Sequence, residues 1–183
     1  MMRLNMIRTV LGAAIAATAI ALLPATASAA PGAPVDPVST LIRAGTPPEV
    51  AAAANSAQRV AGAHTVNIAN PGRGFPGGTV DAVVDTGRHD VTVIQRWLDE
   101  PSRLQIAWVN VANGRSGVTG LPNRVTEPDP VLGTRVDRTA TLPTGAGSTL
   151  VVVWGRVPGW TGLIPAAPEY FGFLAPHAVI VGA

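Results

Sequence analysis

Cysteine and lysine are absent from this chain, and charge of either sign is scarce. Without cysteine, disulfide bonds and anchoring through a lipid-modified N-terminal cysteine are excluded, so the fold must be stabilised by its core. All 13 basic residues are arginines, and charged residues make up only 13% of the chain. The arginines form no basic cluster, which argues against a nucleic-acid partner.

Long apolar runs are limited to one stretch, residues 10–23. This stretch follows Arg3 and Arg8 and precedes the small residues 27–29, an order typical of a secretory signal peptide cleaved after Ala29. Its 14 residues are fewer than the roughly 20 that a membrane-spanning helix needs, and no later segment approaches that length. An uncleaved N-terminal anchor is the alternative to cleavage. We predict a protein that is secreted or held in the cell envelope, with no transmembrane span in the mature chain.

The predicted mature chain is short and formally neutral. Removal of residues 1–29 as a signal peptide leaves 154 of the 183 residues, a length suited to one domain. Two of the 13 arginines leave with the signal peptide, and the 11 that remain balance the 11 acidic residues when histidine is uncharged. We expect residues 30–62 to form an extended leader with short helices, and residues 63–183 to form a β-sandwich domain.

Two short helices are predicted after the leader. The first covers residues 38–43. The second begins at Thr46, whose side chain can cap free N–H groups, with Pro47 in the first helical position and Glu49 completing a capping box. A thin stripe of small apolar residues continues to about Val60, which predicts a helix that packs on a larger element.

From His64 onward, short runs rich in valine, threonine and isoleucine alternate with clusters of glycine, proline and asparagine. Several short strands separated by turn signals are typical of an all-β sandwich or barrel. The candidate strands are residues 64–69, 79–85, 90–97, 103–112, 116–121, 135–142, 149–157 and 177–181. We therefore predict a mainly β fold, an antiparallel immunoglobulin-like sandwich with one or two short N-terminal helices.

The strand that contains Trp108 is apolar on both faces. Leu104 and Ile106 share a face with Trp108, and Ala107 and Val109 share the other. An element that is apolar on both sides is typical of an interior strand, so we predict a central position for it.

Other features of the strand region lead to more specific predictions. Residues 150–154 are also apolar on both faces, whereas the strand at 90–97 becomes polar and charged and is predicted nearer an edge. Trp108 and Trp154 are predicted at the centre of the core. Asn113-Gly114 tolerates positive φ at both positions and predicts a two-residue type I′ turn between two strands.

Three motifs in the C-terminal half combine turn and core residues: residues 108–122 (WVNVANGRSGVTGLP), 140–147 (ATLPTGAG) and 150–154 (LVVVW). With these motifs, the chain from about residue 90 to residue 183 resembles small exported β-sandwich proteins of actinobacteria, most of them uncharacterised. The resemblance implies export and an immunoglobulin-like sandwich. It implies no activity, and no functional residue is carried over from it.

Few residues are candidates for catalysis or metal binding. Ser116 lacks the spacing of a Gly-x-Ser-x-Gly elbow, so a role beside a turn is its simpler interpretation. His89 and Asp90 could approach a metal with Asp85 only across a tight turn, and a solvated hairpin tip is simpler. The glycine-rich residues 72–78 lack the lysine of a phosphate loop. We predict no catalytic residue, metal or cofactor; a small secreted hydrolase using Ser116 or His89 is the enzymatic alternative.

The most distinctive candidate site is a stretch of aromatic and aliphatic residues among prolines and glycines near the C terminus. Its candidate binding residues are Trp160, Leu163, Ile164, Tyr170, Phe171 and Phe173. One interpretation is a flap that covers an open end of the sandwich; the other is an apolar surface for an envelope lipid, glycan or protein. We predict non-enzymatic binding through this C-terminal loop, and the alternative is a subunit of an oligomeric envelope channel.

Overall fold

A computed structural model describes residues 35–70, 77–130, 133–158, 160–161, 164–165 and 171–182. The predicted signal peptide, residues 1–29, lies outside the described residues. The helical elements are α1 (Pro37–Arg43), α2 (Pro48–Ala51) and a 3₁₀ helix (Ala52–Ser56). Within the described ranges, no helix has the length and apolar character that crossing a membrane requires.

The chain is mainly β, and its strands form two five-stranded sheets. In chain order the strands are β1 (Gln58–Arg59), β2 (Thr65–Ala69), β3 (Val80–Asp85), β4 (Asp90–Gln95), β5 (Arg103–Asn110), β6 (Ser116–Thr119), β7 (Asn123–Asp129), β8 (Gly133–Leu142), β9 (Ser148–Pro158), β10 (Trp160–Thr161), β11 (Ile164–Pro165) and β12 (Phe171–Gly182). The first sheet has the order β1-β12-β9-β5-β6 and the second β2-β3-β4-β8-β7, while β10 and β11 pair with each other. The described pairings are antiparallel except for β1 with β12. The predicted mainly β fold with short N-terminal helices is confirmed.

The two five-stranded sheets pack face to face around one large core. On β3 and β4 every second residue is buried, as the two-residue period of a strand requires. Ala82 lies on the buried face of β3, and Val91 and Val93 extend that face from β4. Trp108 of β5 belongs to the same core, as predicted, and is only 3% exposed. Trp154 is half-buried on the other side of the first sheet, so its predicted place in this core was wrong.

The helices cover the outer face of the first sheet and create a second, smaller core. Leu41 of α1 and Val50 of α2 are buried there against Val109 of β5 and Leu150 of β9. This layer explains why β5 and β9 are apolar on both faces. At the start of α1, the Asp36 carboxylate accepts hydrogen bonds from the backbone N–H groups of the helix, as an N-cap does.

The second helix is shorter than predicted and begins differently. Its N-cap is Pro47, with no capping hydrogen bond from a side chain, so the predicted capping box of Thr46 and Glu49 does not form. The helical segment ends at Ser56 and does not reach Val60. The backbone N–H of Val60 instead donates to the Ile180 carbonyl oxygen, because the chain has by then joined the edge of the first sheet beside β12.

Two strand predictions are corrected by the sheet order. β4 lies in the middle of the second sheet and not near its edge, because the polar residues that suggested an edge point to the solvated outer face. β7 occupies residues outside the candidate strands, and it forms the exposed edge of that sheet beside β8. Its proline, Pro128, is tolerated because an edge strand leaves half of its N–H groups unpaired.

The hairpin between β5 and β6 occurs where it was predicted but has a different turn. The N–H of Asn110 donates to the Arg115 carbonyl oxygen and that of Gly114 to the Asn110 carbonyl oxygen, so the loop is longer than two residues. Gly114 has a positive φ of 73°, but Asn113 does not, which excludes a type I′ turn. The Asn110 side chain fixes the loop by accepting from the N–H groups of Ala112 and Asn113.

Candidate functional site

The predicted C-terminal binding segment is part of a hairpin and not an irregular loop. β9 and β12 pair as far as Pro158 opposite Phe171, and β10 pairs with β11 inside the hairpin. Four candidate residues lie on these strands, where the structure describes the backbone only: Trp160, Ile164, Phe171 and Phe173. The other two, Leu163 and Tyr170, lie outside the described residues.

The hairpin continues past the rest of the first sheet. Its neighbour β5 pairs with β9 only as far as Arg103 opposite Arg156, and Val157 and Pro158 then pair with β12 alone among the described strands. We call this end of the sandwich the hairpin end. It also contains residues 77–79 before β3, the connection between β4 and β5 (residues 96–102) and the connection between β6 and β7 (residues 120–122).

The base of the hairpin rests on the opposite sheet. A Cβ atom added to Gly77 would lie 2.8 Å from Pro158 Cγ and 3.4 Å from Leu98 Cδ1, so the three residues meet closely. Gly77 also has a φ of +75°, which side-chain-bearing residues rarely adopt. The β9–β12 hairpin and the β4–β5 connection therefore lie side by side at the hairpin end.

Trp97, in the β4–β5 connection, exposes a large aromatic side chain at this end. It is 39% exposed and has a φ of +57°, an uncommon conformation for a bulky residue. Its backbone N–H donates to Asp137 Oδ1 at 2.9 Å, and the next N–H, that of Leu98, donates to the Val136 carbonyl oxygen at 2.7 Å. The strained conformation is thus held by β8, and strain of this kind clusters at functional sites.

A network of charged residues on the outer face of the second sheet supports Trp97. The buried Asp137 carboxylate accepts from Arg96 at 3.2 Å and from Arg135 at 3.3 Å. Arg96 also donates to Asp81 at 2.9 Å, and Asp81 accepts from Asn67 at 2.9 Å. These partners occupy the charged groups of the network, so Trp97 offers a ligand the face of its indole ring and the indole N–H donor.

The electrostatics of Arg96 favour the ion pairs. Burial is the largest single effect and lowers the pKa of Arg96. The hydrogen bonds and charges of Asp81 and Asp137 outweigh burial and raise the pKa above its ordinary value. Arg96 is therefore a permanent cation that joins β3, β4 and β8, and it acts as a structural support.

A cavity of about 270 Å³ lies at the same end, where the β4–β5 and β6–β7 connections approach each other. Its lining residues come from these connections and from β6 and β8: Pro101, Ser102, Thr119, Gly120, Leu121, Pro122 and Arg138. Ser102 Oγ is committed to Gln95 Oε1 at 2.6 Å, which ties the cavity wall to the buried end of β4. The cavity combines apolar surface with one cationic side chain.

The structure places the two residues of the enzymatic alternative in different surroundings. Ser116 is fully buried, and its Oγ has no hydrogen-bond partner among the described residues. His89 is an exposed turn residue with a φ of +55°, and Asp85 Oδ1 accepts from the N–H groups of Gly87 and Arg88 in the same turn. In the described part of the chain, no group of three or more histidine, aspartate or glutamate side chains could hold a metal ion.

Comparisons with known proteins identify no relative: no protein-family model, no curated protein and no solved structure gives a significant match to this chain.

Trp97, Asp137 and Arg138 were not singled out from the sequence. Trp97 carried one usable signal, since it ends a predicted strand just before the turn that contains Asp99, Glu100 and Pro101. Asp137 and Arg138 carried none, because the partners that tie them to the β4–β5 connection lie about 40 residues away along the chain.

Proposed function

We propose that this chain is an immunoglobulin-like, exported, non-enzymatic binding protein of the cell envelope or extracellular space. Strand order supports the fold: β3-β4-β8-β7 corresponds to the A-B-E-D order of an immunoglobulin domain, and β12-β9-β5-β6 to its G-F-C-C′ order. Trp108, buried on the strand that corresponds to C, matches the tryptophan typical of these domains. The disulfide of antibody domains has no counterpart, since the chain has no cysteine.

The hairpin end is the proposed binding surface. Its β4–β5 connection and β9–β12 hairpin correspond to the B–C and F–G loops, which bind antigen in variable domains. That correspondence is an analogy of fold, and the observation that carries the proposal is a local one. An exposed tryptophan, Trp97, is fixed by β8 beside the base of a hairpin that carries Trp160 and Phe171.

The proposed partner is an envelope lipid, glycan or protein that presents an apolar face. Aromatic side chains on short connections supply large contact areas with little loss of conformational entropy, because few side-chain torsions need to be fixed. Export to the place where such partners occur is supported by the sequence of residues 1–29, with its basic start, apolar run and small-residue end.

The test compares bound partners in wild type and variants by native mass spectrometry. The mature protein is purified from the envelope and culture medium of its own host, as wild type, as the double variant W160A/F171A and as W97A. We expect a bound mass or a defined complex with wild type, and its loss in both aromatic variants. Ile42→Ala is the matched control, because Ile42 is 41% exposed on α1, away from the hairpin end.

The same samples distinguish the competing interpretations. If W160A/F171A unfolds while Ile42→Ala does not, the hairpin residues are part of the core and the binding-site proposal is wrong. A defined homo-oligomer that conducts ions across a bilayer would support the channel alternative instead. Labelling of the folded protein by a serine-reactive probe would contradict the non-enzymatic assignment.

A further inference from the structure

Arg138 is a half-buried cation that forms no ion pair within the part of the chain that the structure describes. Three other arginines on or next to the second sheet each pair with an aspartate at 3.3 Å or less. The Arg138 guanidinium instead donates from Nε to the Glu100 carbonyl oxygen at 2.8 Å and from Nη2 to the Asp99 carbonyl oxygen. Carbonyl oxygens orient a guanidinium without neutralising it, so Arg138 keeps a positive charge that an anion can approach.

This cation lines the cavity at the hairpin end. The cavity has a volume of about 270 Å³, just below the roughly 300–1,000 Å³ of pockets that hold drug-sized ligands, so it suits a single ring. Pro101, Leu121 and Pro122 supply apolar surface to it. Thr119 and Gly120 supply polar groups, and Thr119 Oγ1 donates to the Gly120 carbonyl oxygen at 3.2 Å. The lining thus provides a charged contact, an apolar contact and hydrogen-bonding groups within one small volume.

We propose that this cavity binds one hexuronate residue, with its carboxylate on Arg138. A guanidinium presents a planar fork of N–H groups that matches a carboxylate, and Arg138 is already held in one orientation by two carbonyl oxygens. The C–H face of a sugar ring suits the two prolines and Leu121, and its hydroxyl groups suit Thr119 and Gly120. A hexuronate supplies all three features at single-ring size.

The charges around the cavity indicate one acidic residue and not a polyanion. Arg124 lies directly opposite Arg138 in the β7–β8 pairing, but its guanidinium is bound to the Asp99 carboxylate at 2.8 Å. The hydrogen bond and charge of Arg124 lower the pKa of Asp99, and the charge of Arg138 adds to that effect, so this carboxylate compensates part of the Arg138 charge. Arg138 is the one cation among the described lining residues. This cavity is separate from the binding surface proposed at the hairpin, because no hairpin residue whose side chain the structure describes lines it.

The test is a titration of the mature protein with D-glucuronate, followed by two-dimensional amide NMR. We expect saturable shifts of the amide signals of Ser102, Gly120 and Arg138, and no shifts with D-glucose, which lacks the carboxylate. Arg138→Gln should weaken glucuronate binding about tenfold or more, the usual effect of losing hydrogen bonds to a charged group. Arg156→Gln is the matched control, because Arg156 is an exposed arginine at the same end that does not line the cavity.

Each contrary result refutes either the site or the ligand class. Equal binding by wild type and Arg138→Gln, or no saturable shift with wild type, refutes the site. Binding of inorganic phosphate or N-acetyl-alanine as tight as that of glucuronate refutes the sugar acid as the ligand class. If Arg138→Gln fails to fold, Thr119→Phe provides the test, since it fills the cavity without touching the hydrogen bonds of Arg138; unchanged binding by that variant refutes the site. W160A/F171A should bind glucuronate like wild type. The titration therefore tests the cavity separately, and either proposal can be refuted while the other stands.

Discussion

Asp137 is expected to hold the hairpin end together, and Asp137→Asn measures that contribution. The side chain of Asp137 is 2% exposed, and its two oxygens accept from the Trp97 backbone N–H, from Arg96 and from Arg135. Asparagine has almost the same shape. It removes the charge, however, and it replaces one acceptor by an NH₂ group that faces the guanidinium donors.

The expected cost follows from what is lost. Breaking a fully buried ion pair costs about 3–5 kcal/mol, and a hydrogen bond to a charged group contributes about 1.5–3 kcal/mol. The Arg96 and Arg135 side chains are 24% and 28% exposed, so solvent compensates part of the loss. We expect a decrease of about 2–4 kcal/mol in the free energy of unfolding. For a domain of about 150 residues this lowers Tm by roughly 4–16 °C.

Urea unfolding followed by circular dichroism gives the free energy, and hydrogen exchange at the Trp97 amide gives the local effect. Exchange of that amide should accelerate in Asp137→Asn, because its acceptor is weakened. Asp99→Asn is the matched control: the Asp99 carboxylate also pairs with an arginine, but at an exposed site, so its unfolding midpoint should match wild type. A variant Asp137→Asn as stable as wild type, with unchanged exchange at Trp97, would refute the reasoning.

Two further changes probe the helix layer and the buried serine. Hydrogen bonding from Ser39 holds the pKa of Asp36 below its ordinary value of 3.8, so the capped α1 contributes stability above that pH and loses it as the pH falls through the lowered pKa. Urea unfolding at pH 7, 5 and 3 should therefore show Asp36→Asn less stable than wild type at the two higher pH values, with the difference reduced at pH 3; a difference that grows on acidification contradicts this assignment. Ser116→Ala should leave the free energy of unfolding unchanged or raise it by up to about 1 kcal/mol, because the buried Oγ has no partner among the described residues. A decrease of more than about 1 kcal/mol would show that this hydroxyl is bound.

The sequence predicted elements well where local patterns decide them. Runs that are apolar on both faces located β5 and β9. Alternation of buried and exposed residues located β3 and β4, because a strand with one face in a core repeats every two residues. It failed for β7, whose residues are nearly all exposed and therefore show no alternation. It also misplaced β4 within the sheet, since a central strand with a solvated outer face has the same pattern as an edge strand.

The candidate site was predicted only in part, for a different reason. The aromatic residues of the hairpin stand out by composition, and they could be named from the sequence. The contacts of Asp137 depend on the register of β8 against β4 and on the path of the chain after β4. The alternation that buries Ala140 and Leu142 of β8 fixes which face of the strand Asp137 occupies. It does not indicate that the chain after β4 brings the Trp97 N–H to that carboxylate.

The alternation of side chains along β8 also explains how one strand holds the β4–β5 connection at two sites of the hairpin end. Consecutive residues of β8 point to opposite faces, and both reach the β4–β5 connection: Asp137 binds the Trp97 N–H from the outer face, and Arg138 binds the carbonyl oxygens of Asp99 and Glu100. The connection is thus fixed from two sides before any ligand arrives. A surface that is ordered in advance spares a ligand the entropic cost of ordering it. The two supports are also separable, because Asp137→Asn loosens Trp97 while leaving the backbone carbonyl groups that orient Arg138. Partner binding at the hairpin and glucuronate binding in the cavity should therefore respond differently to that one substitution.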